Sequence, residues 1–131
     1  MAVSNIKAVF PYSAERVWNT VTNLKDWSWR SDLSRIETLS EKEFIEYTKD
    51  GFATKFTVTA NEPLKRWEFD MENSNMYGHW KGVFYEKNGE TTIDFTEDVT
   101  AKKLIMRPFV GGYLKKQQAE YIRDLESALK K

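Results

Sequence analysis

The sequence predicts an α+β fold in which a curved antiparallel sheet wraps around one long C-terminal helix, with two short helices after the first strand. Three observations predict it. Residues 34–101 alternate apolar and polar side chains and carry two hairpin signals, Asp50-Gly51 and Asn88-Gly89. Residues 109–130 change to helical period, with Val110, Leu114, Tyr121, Leu125, Ala128 and Leu129 on one broad stripe. Residues 3–24 read as a strand, a proline stop and a capped helix.

Residues 3–10 form the first strand, closed by Pro11. Ser13 is an N-cap, and Glu15 lies in the positive first turn of a helix whose apolar face is Val17, Trp18, Val21 and Leu24. Residues 25–33, rich in Trp, Ser and Asp, read as a second short helix or a structured loop. Asn88-Gly89 tolerates positive φ at both positions, so a two-residue loop pairs Lys87 with Glu90, Phe84 with Ile93, Gly82 with Phe95 and Trp80 with Glu97. That set is mostly apolar and faces inward; Val83 with Asp94, Lys81 with Thr96 and His79 with Asp98 face water. The same reasoning at Asp50-Gly51 pairs Ile45 with Phe56 and Tyr47 with Thr54 inside, and Glu46 with Lys55 on the solvent side. Between the hairpins, Trp67, Phe69 and Met71 alternate with Arg66, Glu68, Asp70 and Glu72 as a half-buried strand.

A chain of 131 residues fits one domain, residues 1–131, able to bury roughly two-thirds of its unfolded surface. Twenty basic residues balance twenty acidic ones, which argues against nucleic acid, since phosphate binding draws on positive excess. With no cysteine and His79 alone, disulfides, thiol nucleophiles and a zinc site are not expected, and no cofactor is implied. No apolar run approaches membrane-spanning length, and residues 1–7 lack a signal-peptide pattern, so a cytoplasmic protein is expected, with no membrane insertion. No Ser/His/Asp set or glycine-rich phosphate loop is present. The oligomeric state is not legible.

The element order, with Ser13-Ala14-Glu15-Arg16-Val17-Trp18 opening the first helix, resembles the START-like (SRPBCC) superfamily, the helix-grip fold of plant pathogenesis-related allergens and polyketide cyclase/dehydrase-like proteins. The run Asn88-Gly89-Glu90-Thr91-Thr92-Ile93-Asp94-Phe95 is similar to the family's late hairpin, although Glu90 separates Gly89 from Thr91. The resemblance spans essentially the whole chain. It implies a cavity between sheet and terminal helix that holds a small apolar or amphipathic molecule. Carriers, cyclases, dehydratases and chaperone-binding domains share this fold, so it does not choose among them.

Within that frame, Tyr47, Phe56, Trp67, Phe69, Trp80 and Phe95 are expected to line the cavity, with Phe84 among the inward rings. Gly78 and Gly82 are expected to leave room beside them. Glu97, placed inward opposite Trp80, is costly there unless bonded or solvated, and reads as a polar anchor or a structural carboxylate. Gln118 and Tyr121 extend the site from the helix, while Gln117 reads as exposed. His79 beside Asp98 reads as a surface pair. Trp27, Trp29 and Leu33, with Leu104, Ile105 and Met106, either frame an entrance or pack as ordinary loops. Binding of a small ligand without catalysis is the leading expectation. A cyclase- or dehydratase-like enzyme and a chaperone-type interaction domain are the alternatives.

Overall fold

Asn88 and Gly89 both take left-handed backbone, with φ of 55° and 79°. A type I′ loop requires this at both central positions and matches the twist of the strands it joins. Strands β6 (Met76–Lys87) and β7 (Glu90–Ala101) therefore pair as the sequence predicts, from Lys87 with Glu90 through Trp80 with Glu97 to His79 with Asp98. The other strands are β1 (Ala2–Phe10), β2 (Leu33–Thr38), β3 (Glu43–Thr48), β4 (Ala53–Glu62) and β5 (Arg66–Glu72). In this computed structural model, which describes residues 2–131, all seven form one antiparallel sheet in the order β1-β7-β6-β5-β4-β3-β2.

Helix α1 (Ala14–Thr22) starts where Ser13 Oγ accepts the Arg16 N–H at 3.2 Å, and it buries Val17, Trp18 and Val21. Asn23 ends it, its side-chain oxygen accepting from the Lys25 and Asp26 N–H groups. Residues 25–33 hold no second helix. Residues 25–32 form a loop pinned to the terminal helix, where Ser31 donates through its backbone N–H and hydroxyl to Asp124, at 2.9 and 2.8 Å, and through its hydroxyl to Glu120, and Leu33 already belongs to β2. One short helix, not two, follows β1.

The first hairpin departs from expectation. Gly51 takes φ of 84°, but Asp50 does not enter the left-handed region. Thr48 closes the loop instead: its N–H donates to Phe52 O at 2.9 Å, and its hydroxyl accepts from Phe52 N. The loop is three residues long, which shifts the register by one. Phe44 opposes Phe56, Ile45 opposes Lys55, Glu46 opposes Thr54 and Tyr47 opposes Ala53. A one-residue slip inverts a strand, so Phe44 and Glu46 face inward while Ile45 and Tyr47 face outward. The expected pairs Ile45–Phe56, Tyr47–Thr54 and Glu46–Lys55 are thus replaced, and Lys55 pairs with Glu43 at 3.0 Å on the outer face. The inverted strand gains the stack of Phe44 on Phe56, with centroids 4.9 Å apart and planes 8° from parallel.

A 3₁₀ turn (Leu104–Met106) leads into helix α2 (Arg107–Leu129), with Pro108 in its first turn. The helix lies against β1, β7 and α1, burying Val110, Leu114, Leu125 and Leu129. The Arg16 guanidinium of α1 donates to the Leu129 and Lys131 carbonyls, satisfying acceptors the helix end cannot. Two apolar clusters result. The larger centres on the rings of β3–β7 with α1 and the end of α2, and the smaller on Val99, Ala101, Val110 and Leu114.

Candidate functional site

Between the concave face of the sheet and α2 lies a cavity of about 190 Å³, more than ten times the roughly 10–15 Å³ that one water needs. Its floor is Phe56, Trp67, Phe69, Trp80 and Phe95, which alternate with outward residues along β4–β7. These rings hold one another: Phe69 stacks on Trp80 at 4.8 Å, and Trp67 meets both edge-on. Every residue expected to line the cavity does so except Tyr47. The inverted β3 puts Tyr47 on the convex surface, where its hydroxyl donates to Glu37 and the Arg35 guanidinium lies 3.9 Å from the ring centroid. Phe44 takes its place inside. Phe84 is buried away from the cavity, edge-on to Trp18. Gly82 does not leave free space: a Cβ there would sit 2.4 Å from the Trp80 ring, which folds back over the glycine.

One end of the cavity is polar, and its strongest members were not read from the sequence. Arg30, in the loop after α1, donates to Asp32 through two nitrogens, at 3.1 and 2.9 Å, and to Glu46 at 3.2 and 3.4 Å. Its guanidinium also lies over Tyr121, 5.0 Å from the ring centroid. Burial works against the Arg30 charge, but Glu46 and Asp32 outweigh it and hold the group firmly cationic. Glu46 enters this end through the slipped register; Arg30 and Asp32 enter because Ser31 between them is tied to α2.

Glu97 reaches the same end from β7. Burial lifts its carboxyl to about 7; Arg30 opposes the rise and Glu46 adds to it. Among the described residues no donor hydrogen-bonds this carboxyl, so its environment is desolvation and charge alone. Tyr121 is held protonated far above the usual phenol range by burial, with Glu46, Asp32 and Glu97 adding to the effect of burial and Arg30 opposing it. Tyr113 is raised by burial and by Glu97.

Gln118 borders the cavity, yet its amide serves the fold. Its oxygen accepts from Ser4 Oγ at 2.7 Å and its nitrogen donates to Ser4 O at 3.1 Å, joining α2 to β1. Gln117 is exposed, as expected, and with Phe52 and Tyr113 marks the side where the cavity opens. Trp29 and Leu33 line the cavity, Trp29 edge-on to Tyr121 at 5.3 Å; Trp27 does not. Leu104, Ile105 and Met106 do not line it either and, with Phe109, stand exposed at the start of α2. His79 lies on the convex face, but its partners are Asp70 and Glu68 on β5, each at 2.7 Å, rather than Asp98. No group of metal ligands occurs among the described residues, and no helix there is long and apolar enough to cross a membrane.

The architecture recurs in solved structures. The chain is similar to a START superfamily protein from Mycobacterium smegmatis, with a TM-score of 0.87, 11% identity, and 98% of this chain and 97% of that one covered. A conserved protein from Geobacillus kaustophilus superposes with a TM-score of 0.83 at 12% identity, covering 97% of this chain and 94% of that one. DynU16, from the dynemicin biosynthetic locus, matches 99% of this chain with a TM-score of 0.80 and 13% identity, and the chain spans 48% of it. At such identities the likeness shows fold alone. No curated protein matches the sequence. The profile of the family described as polyketide cyclase / dehydrase and lipid transport matches residues 1–130, and the chain belongs to that family.

Proposed function

We propose that the protein binds a small amphipathic molecule between the sheet and α2, its apolar body on the aromatic floor and its polar group at Glu97. One observation carries this reading: an aromatic cavity of about 190 Å³ ends at a carboxyl that burial raises to about 7 and that no described donor satisfies. Sparse polar groups among apolar walls are how binding pockets orient ligands. In this reading Phe56, Trp67, Phe69, Trp80 and Phe95 supply contact area, Tyr121 a polar edge and Glu97 the anchor. Gln118 supports the wall. The family description, with its reference to lipid transport, is consistent with such a ligand.

A second reading rests on the same carboxyl. A carboxyl near 7 is matched to proton transfer at neutral pH, so a cyclase- or dehydratase-like reaction would use Glu97 as acid or base beside Arg30. The chaperone-type alternative calls for a filled interior, which the cavity disfavours.

Native mass spectrometry of the protein purified from its own host tests the first reading. A co-purifying small molecule, lost on mild denaturation, is the expected result. No retained molecule, and no thermal shift with any aromatic or fatty compound, would sink the binding reading. Turnover of a bound compound that stops in Glu97→Gln would replace it with the enzymatic one.

A further inference from the structure

The charges that line the cavity are unbalanced. They comprise the Arg30 cation against the carboxyl groups of Asp32, Glu46, Glu97 and Glu120, with no lysine or histidine among them. Arg30 is a poor anion receptor, because four of its five N–H groups are already donated to Asp32 and Glu46. Glu120 accepts from Ser31. Glu97 alone lacks a donor among the described residues, and it lies where Trp80, Phe95 and Tyr121 also border the cavity. A ligand anion here would meet acidic neighbours and an arginine with one donor left and its charge already shared by two carboxylates. A ligand cation would meet an unpaired carboxylate and the negative faces of aromatic rings.

We propose that the ligand class is cationic: an amine on an aromatic or alicyclic body, its ammonium hydrogen-bonded to Glu97 and its body seated on the Trp80–Phe95 floor. The proposal rests on the binding reading above and gives it a charge. The ammonium donates to the Glu97 carboxylate, a charge-assisted pair set in a poorly solvated place. Only the ionised Glu97 offers that pair. The charged and titratable groups that line the cavity with it are Arg30 and Asp32 from the loop after α1, Glu46 from β3, and Tyr113, Glu120 and Tyr121 from α2, of which Arg30, Glu46, Tyr113 and Tyr121 are near enough to couple to its charge. With the free carboxyl near 7, affinity for an amine that stays protonated falls about tenfold between pH 8 and pH 6 as Glu97 takes up its proton.

Three probes of one shape decide it: 4-phenylbutylamine, 4-phenylbutan-1-ol and 4-phenylbutanoate, titrated calorimetrically against the whole protein at pH 8 and pH 6. The amine is expected to bind at least tenfold more tightly than the alcohol at pH 8, with the carboxylate weakest, and to lose most of that advantage at pH 6. Glu97→Gln, checked as folded by its thermal transition, should erase both the preference and its pH dependence. If the alcohol or the carboxylate binds as well as the amine, or the preference survives in Glu97→Gln, the cationic class is wrong while the binding reading stands. If none of the three binds at millimolar concentration, both are wrong.

Discussion

Glu97 stores its effect in the pH dependence of stability. Its carboxyl sits at about 7 in the fold against an ordinary 4.5, so the folded protein keeps a proton that the unfolded chain releases. Stability is therefore full below about pH 4.5 and declines as pH rises through 7, by at most about 3 kcal/mol from this residue. Glu97→Gln should flatten that decline in thermal melts between pH 5 and 7.5, and an unchanged slope would show that the carboxyl is solvated. His79 slopes the same way from a different window. Burial lowers its affinity for a proton, but Asp70 and Glu68 prevail, so its contribution fades only as pH climbs past its raised value, above 6.5. Arg30 acts through charge balance. Arg30→Met would leave Asp32 and Glu46 facing one another and should cost about 3 kcal/mol in denaturant titration, much of it recovered when Glu46→Leu is added.

At the scale of elements, legibility followed backbone chemistry. Asn88-Gly89 announced its loop because asparagine and glycine both accept left-handed backbone, and every pair along β6–β7 then followed, including Glu97 opposite Trp80. Asp50-Gly51 misled because only the glycine turned over, and the hydroxyl of Thr48 lengthened the loop by one residue. That single residue hid Glu46 from the site and put Tyr47 into it. Arg30 and Asp32 were hidden for another reason: they lie in a loop without periodicity, and their placement depends on Ser31 meeting Asp124, 93 residues away. Gly82 is readable only in hindsight, as the socket for the Trp80 ring. Gly82→Ala should displace that ring, destabilise the protein by about 1–3 kcal/mol, and alter tryptophan fluorescence.

Across the molecule, the two ends of the chain close the cavity together. Ser4 and Gln118, 114 positions apart, form a doubly bonded buried pair, and Arg16 of α1 holds the far end of α2. Ser4→Ala would leave the Gln118 oxygen buried without its donor and should cost about 1–3 kcal/mol in urea unfolding. The exposed side chains at the start of α2 contribute nothing comparable. Ile105→Glu and Phe109→Glu, at sites 76% and 65% exposed, should each change stability by no more than about 0.5 kcal/mol.

The three-residue loop after β3 makes chain length, as much as side-chain identity, a carrier of specificity. Removing Lys49 while the loop keeps its three residues, now Thr48, Asp50 and Gly51, would set Tyr47 opposite Phe52, and β3 would present Ile45 and Tyr47 to the interior in place of Phe44 and Glu46. A deletion of one codon, at a tip that touches nothing inside, would take an acid out of the cavity and put a phenol there. In a fold built this way, small insertions and deletions at hairpin tips are a route by which a lineage exchanges one ligand chemistry for another while leaving every wall residue's codon intact.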